Sequence, residues 1–144
     1  MKKIMFDSNV FDKLPDFIEK IHKSSAKYEY YITSIQIDEL CTIPDKKIDI
    51  RKRNILMLAD IRARLIPTSV FVYDSTYYDF ATFGNGTVFN KILNENSSNK
   101  DDAIIADTAV FEGCTLITDD SRFYDKMKKN NFNVMRFDEF IQTL

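Results

Sequence analysis

Short apolar, β-prone runs alternate with helix-period stretches along almost the whole chain, and nothing else in the sequence constrains its fold as strongly. Residues 2–6 read as a strand. Phe11, Leu14, Phe17, Ile18 and Ile21 then recur at spacings of three and four, marking a helix over about 10–23 or one that begins at Pro15, in its first turn. Tyr28–Thr33 is aromatic and β-branched, a second strand, and Ser34 is placed to cap a helix carrying Ile35, Glu39 and Leu40 that Pro44 stops. Ile50–Ala63 predicts an amphipathic helix, Leu65-Ile66-Pro67 and Val70–Tyr73 extended pieces, and Tyr73–Phe83 a helix ended by Gly84-Asn85-Gly86. Val88, Ile92 and Leu93 mark another helix before the polar break Asn94–Lys100. Helix Ala103–Glu112 follows, with Gly113 as its C′ residue, then strand 115–118, helix 121–130, strand Asn133–Phe137 and a terminal helix from Asp138. Strands joined by helices cannot pair antiparallel through tight turns. The expected fold is therefore α/β, a three-layer sandwich with a central parallel sheet flanked by helices. At 144 residues the chain is expected to be one domain, 1–144.

Acidic residues fall where such a sheet would gather them. Asp7 follows the apolar run Ile4-Met5-Phe6, and Asp120 follows Thr115-Leu116-Ile117-Thr118. Both lie at carboxyl ends of buried strands, where open parallel sheets keep their ligand crevice. Asp102 opens a helix, where aligned N–H groups favour negative charge. Glu39 lies on the helix after the second strand, on the face of Ile35, with Asp38 turned away. Asp107, about 140° round the helix from Asp102, is expected to face another direction. With one histidine, His22, and two distant cysteines, any reaction must be carried by carboxylates. Several carboxylates in one place repel each other and suit a divalent cation such as Mg²⁺ or Mn²⁺, bound through oxygen. Taken singly, Asp102 or Asp101 reads as a helix cap, Asp120 as the cap of helix 121–130 and Glu39 as a surface carboxylate. Only Asp7 resists the structural reading alone.

Four ordered motifs carry a resemblance. Asp7-Ser8-Asn9 follows a strand; Thr33-Ser34 precedes Glu39-Leu40; Asp102-Ala103-Ile104-Ile105-Ala106 opens an apolar helix; Thr118-Asp119-Asp120-Ser121-Arg122-Phe123 closes the series. In this order the chain resembles the PIN domain family of metal-dependent nucleases, which includes VapC-type toxins. The resemblance implies a metal-dependent endoribonuclease that cuts RNA, with Asp7, Glu39, Asp102 and Asp120 holding Mg²⁺ or Mn²⁺ and Ser8, Asn9 and Thr118 supporting them. It further implies a small antitoxin protein and a homodimer as partners, and a cytoplasmic location. The doublets Asp101-Asp102 and Asp119-Asp120 leave a choice of register; Ala103-Ile104-Ile105-Ala106 and Phe123 favour Asp102 and Asp120. The rival readings are a non-catalytic PIN-like module that binds RNA or protein, and an α/β receiver domain. Ser8-Asn9 after Asp7 speaks against the receiver, which expects an acidic pair there.

The remaining features bound these readings. Net charge is −2, and without the four candidate ligands the rest carries +2. A basic run between Asp45 and Arg64, including Arg51, Lys52 and Arg53, offers an RNA-binding face, although charge alone favours a solvated helix face. Phe71, Tyr73, Tyr77, Tyr78, Phe80 and Phe83 suit core packing or a dimer interface better than base stacking. Cys41 and Cys114 read as small core residues of a reducing compartment. Three glycines exclude phosphate-binding loops, and no apolar run suits a membrane span or a signal peptide.

Overall fold

The computed structural model describes residues 1–93 and 100–144. The sheet contains β1 (Lys2–Phe6), β2 (Tyr28–Ile32), β3 (Arg64–Leu65), β4 (Thr115–Ile117) and β5 (Val134–Met135). All neighbours are parallel, in the order β3-β2-β1-β4-β5. The helices are α1 (Ile18–Lys23), α2 (Ser34–Cys41), α3 (Ile48–Asp60), α4 (Thr87–Leu93), α5 (Lys100–Glu112), α6 (Ser121–Lys129) and α7 (Phe137–Ile141). This is the expected sandwich. The chain runs outward from β1 to β2 and β3, then returns to build β4 and β5 on the other side. The strand order therefore reverses between β1 and β4, which opens a crevice at their carboxyl ends.

Strand alternation divides the core into two layers. Ile4, Phe6, Tyr28, Tyr30, Ile32 and Ile117 face one side, against Phe11, Leu14, Ile21, Phe137 and Phe140. Met5, Tyr31, Leu116 and Val134 face the other, against Ile92, Phe123, Met127 and the apolar face of α5. On that face the alanines 103, 106 and 109 have no exposed surface, and such small side chains let α5 lie close to the sheet. Its C-terminus is closed by Gly113 at φ +70°, as expected for a C′ glycine.

Several local expectations are corrected. The helix over 10–23 is a 3-10 segment, Ser8–Phe17, followed by the short α1, because Pro15 lacks the N–H a continuous α-helix needs. The cap of α2 is Thr33, not Ser34: Thr33 Oγ1 accepts from the Ile35 N–H at 3.2 Å, and the Thr33 N–H donates to Gln36 Oε1 at 2.9 Å. Tyr73–Phe83 forms no helix, only a 3-10 turn at Tyr78–Phe80, and Val70–Tyr73 is no strand. The β3 strand is Arg64–Leu65, and β5 is shorter than expected, with α7 beginning at Phe137. Cys114 is buried but Cys41 is exposed. The polar break at Asn94–Lys100 lies, apart from Lys100, outside the described residues. No helix among the described residues is long and apolar enough to cross a membrane.

The 68–84 loop replaces the expected helix because its backbone bonds to itself and to α5. Thr68 N–H donates to Phe80 O at 2.9 Å, and Thr82 N–H to Thr68 O at 2.7 Å. Gly84 N–H meets Ser69 O at 2.8 Å, so close that a Cβ on Gly84 would collide with that carbonyl. Asp107 holds the loop from below: it accepts from Ser69 Oγ at 2.5 Å and from the Phe89 N–H at 2.8 Å, and is 6% exposed. Asp107→Ala would leave both donors without their acceptor. A loss of about 2–3 kcal/mol is expected in urea denaturation; an unchanged midpoint would refute this anchoring role.

Candidate active site

The end of β1 is tied to the end of β4 through polar side chains, and Asp7 is the knot. Asp7 is 4% exposed. Its Oδ2 accepts from Thr118 Oγ1 and from Asn9 Nδ2, each at 2.7 Å. Asn9 also reaches Thr118 Oγ1 at 3.2 Å and accepts from the Asp119 N–H at 3.2 Å. The Asp120 N–H donates to Thr118 Oγ1 at 3.1 Å. One hydroxyl and one amide thus fix the two strand ends on either side of the switch point. Asn9 and Thr118 stand against Asp7, while the nearby Ser8 hydroxyl opposes the rise in the Glu39 pKa.

The second acid is brought in by a residue that hydrophobic pattern does not reveal. Gln36, with no exposed surface, joins the cap of α2 to β1 by donating from Nε2 to Phe6 O at 3.4 Å. That bond sets α2 against the end of β1, one helical turn before Glu39. A buried Gln in a capping position is the only sequence signal for it. Asp102 lies in the first turn of α5, half-buried, and Asp120 caps α6 by accepting the Phe123 N–H at 2.8 Å.

The four carboxylates share one electrostatic environment. Burial pushes Asp7 above the ordinary carboxylate range despite the bonds from Thr118, Ser8 and Asn9, and the charge of Asp120 adds to the rise. Glu39 is pushed up to about 7, mainly by burial, then by the charges of Asp7 and Asp101. Asp102 is also pushed up to about 7, by burial first and then by Asp7, Glu39 and Asp120, with Lys126 opposing. Asp7 thus makes Glu39 and Asp102 harder to ionise, and Asp120 does the same to Asp7 and Asp102.

Neighbouring acids sort differently. Asp101 is exposed beside Glu39, whereas Asp119 is engaged elsewhere: its Oδ2 meets Lys13 Nζ at 2.6 Å and its Oδ1 accepts the Phe137 N–H at 3.1 Å. Burial favours the neutral form of Asp119, but these partners outweigh it and hold its carboxyl low. Asp38 is not turned away, as the helix geometry suggested. It lines a cleft of ≈ 260 Å³ together with Ile35, Glu39, Thr42, Asp74, Ser75 and Asp101, and its nearness pushes the Tyr77 hydroxyl's pKa up.

The basic run does not meet the acids. Arg51 is bound to Asp45 at 2.9 Å and to Ile43 O at 3.1 Å, Arg53 pairs with Asp12 at 3.8 Å, and Lys52 is exposed. The cation felt by Asp102 is instead Lys126 on α6, whose Nζ bonds to Ile92 O at 3.3 Å. A larger hollow of ≈ 440 Å³, lined by His22, Tyr30 and Arg62 among others, holds none of the four acids. There His22 Nε2 bonds to the Asp60 carbonyl at 2.8 Å, a structural role.

The donor set fits a hard divalent cation. It offers oxygen alone, and Glu39 Oε2 is buried with no hydrogen-bond partner, an acceptor aimed at something other than protein. Ser34 Oγ, on the same helix, is likewise without a partner. Among the described residues, however, no three His, Cys, Asp or Glu side chains stand close enough together to close around an ion. The acids form an open set rather than a finished coordination shell.

Comparisons with known proteins agree with this architecture. The PIN domain family model matches residues 3–129. No curated protein sequence matches the chain significantly. Among solved structures, the chain is similar to one in the crystal structure of VapBC2 from Rickettsia felis bound to a DNA fragment from their promoter. The TM-score is 0.61 at 19% identity, over 93% of this chain and 98% of that one. At that identity the likeness speaks to fold alone.

The raised carboxyls carry a pH signature. Glu39 and Asp102 ordinarily titrate near 4.5 and 3.8 but do so near 7 in the folded chain. Between those values the folded state keeps protons that the unfolded state has released. The stability they contribute is therefore full below about pH 4 and is lost as pH rises through 7. In EDTA, Asp102→Asn should match the wild type near pH 4 and exceed it at pH 8 by roughly 1–2 kcal/mol, after allowance for solvent screening. Denaturation curves that stay parallel across this range would contradict the raised carboxyl of Asp102.

Proposed function

The chain belongs to the PIN domain family, and we propose from this premise that it is a divalent-metal-dependent endoribonuclease acting as one domain, residues 1–144. The observation that carries the reading is the set of coupled carboxylates at the β1/β4 switch point, with Glu39 Oε2 buried and unpartnered. Crowding like charges there destabilises the metal-free protein, and a cation relieves it. Asp7, Glu39, Asp102 and Asp120 are the residues that would hold Mg²⁺ or Mn²⁺. Such an ion acidifies water and draws charge off a phosphodiester, which is the chemistry hydrolysis requires.

The chain's own groups prepare the site. Thr118 and Asn9 fix the Asp7 carboxylate by bonding one oxygen, and Ser8 is a candidate to support Glu39 beside it. The cap bond to the Phe123 N–H holds Asp120 through Oδ1. Such supporting bonds orient ligands and are worth about 10–100-fold in metal affinity or activity, so Thr118→Val should lose that much. Lys126, beside Asp102, is a better candidate for meeting phosphate than Arg51 or Arg53, whose charges are already paired.

The fold likeness to a chain of the VapBC2 structure supports a further step, that this protein is the toxin of a toxin–antitoxin pair. A small antitoxin protein would then restrain it, and a gene for a short DNA-binding protein beside its own would be that antitoxin's source. The two free cysteines, Cys41 and Cys114, support a reducing compartment, the cytoplasm, as the place of the reaction.

The reading is tested by incubating labelled RNAs with Mn²⁺, with Mg²⁺ and with EDTA, beside Asp7→Asn. Cutting that requires the ion and falls to background in the mutant is expected. Because Glu39 and Asp102 are protonated near neutrality, Mn²⁺ binding at pH 6.5 should also release on the order of one proton, read by calorimetry in two buffers. A protein that neither cuts RNA nor binds Mn²⁺ at these acids is the non-catalytic binding module instead.

A further inference from the structure

The aromatic stretch 71–83 has not taken the place its composition suggested. Tyr78 is 76% exposed and Phe83 72% exposed, so these rings are not core. They are nonetheless packed on one another: Phe71 and Phe83 have centroids 5.2 Å apart and tilted by 35°, with Tyr78 at 6.3 Å from each. Resting on the nuclease reading above, we propose that Phe71, Tyr78 and Phe83 form a stacking platform for bases of single-stranded RNA beside the cleaved phosphate.

Placement supports this. Asp74 and Ser75, on the same loop, wall the cleft that holds Asp38, Glu39 and Asp101. The loop that carries the rings therefore forms one wall of the cleft that holds Glu39. The loop is also fixed in advance. Val72 N–H bonds to Thr76 Oγ1 at 2.9 Å, the Thr68–Thr82 and Ser69–Gly84 bonds close its base, and Lys100 ties Asp74 to α5 at 2.6 Å. A platform already ordered loses little entropy when a ligand settles on it.

Charge gives the reason such a platform is needed. The cleft is lined by carboxylates, the chain carries a net −2, and the arginines of α3 are paired away from the acids. Lys100, at the cleft wall, is itself paired with Asp74, so a polyphosphate gains little from these charges beyond the cation and Lys126. Stacking on a ring face requires no charge and accepts any base, so it supplies attraction where electrostatics does not. A protein seated on the same rings is the rival occupant, and it should leave RNA handling untouched.

The test uses the whole chain, with Tyr78→Ala and Phe83→Ala compared with Tyr78→Phe. Single-stranded RNA carrying 2-aminopurine reports stacking by quenching on mixing; cleavage in Mn²⁺ gives KM and kcat; sedimentation gives the mass. Each alanine variant should raise KM about tenfold or more and lose the quenching. Its kcat should stay within about twofold of wild type, because the rings do not touch the reacting phosphorus. Tyr78→Phe should behave as wild type, and Mn²⁺ affinity should be unchanged in all three. Unaltered KM and quenching in a protein that still cuts RNA would overturn the platform and leave the nuclease standing. Unaltered RNA handling with a change of mass would assign the rings to a protein interface and also overturn it. A wild type that cuts no RNA would remove the nuclease reading, and the platform with it.

Discussion

The hydrogen bonds from Thr118 and Asn9 to the buried Asp7 carboxylate are the interaction on which the rest of this molecule depends. They join β1 to β4 at the one place where the strand order reverses, and they hold an acid where burial favours its neutral form. A carboxylate so placed is tolerated because polar donors meet it. The other acids then arrive on separate elements, Glu39 through the Gln36 bond to Phe6, Asp102 on the first turn of α5, and Asp120 as the cap of α6. None of these elements needs an acid at that point for its own folding except α6, whose cap Asp120 supplies. The resulting repulsion is a structural liability whose natural remedy is a bound cation.

Much of this was legible in the sequence because it rests on local rules. The strand-helix alternation gave the parallel sheet, the apolar runs ending in Asp7 and Asp120 placed the crevice, and Gly113 marked the end of α5. Within the doublets, Asp119 is spent on Lys13 and Phe137, whereas Asp101 and Asp102 both stand near Glu39. What failed rested on tertiary partners. Pro15 permitted a 3-10 path that periodicity reads as α-helix. The aromatic 73–83 stretch has helical spacing, but backbone groups of Ser75, Thr76, Phe80 and Thr82 are met by Val72 and Thr68 instead. Gln36 and Lys126 matter through contacts 30 or more residues away in the chain, which no local pattern encodes.

The basic run at 45–64 shows the same limit from the other side. Counted along the sequence it is an RNA-binding face, yet in the fold Arg51 and Arg53 are paired with Asp45 and Asp12. The site is therefore acid-rich, with Lys126 as the cation felt by Asp102 among the described residues. Binding at such a site depends on neutralising the carboxylates and on contacts that carry no charge, and both follow from where the chain has put its polar and aromatic groups.

The central claim is that these four carboxylates form one divalent-cation site, and anomalous diffraction from crystals equilibrated with Mn²⁺ addresses it without reference to any substrate. The account predicts an anomalous peak in the β1/β4 crevice, bound by Asp7 and by at least one of Glu39, Asp102 and Asp120, with Glu39 Oε2 no longer unpartnered. A crevice without a peak at saturating Mn²⁺, or an ion bound elsewhere on the chain, would contradict it.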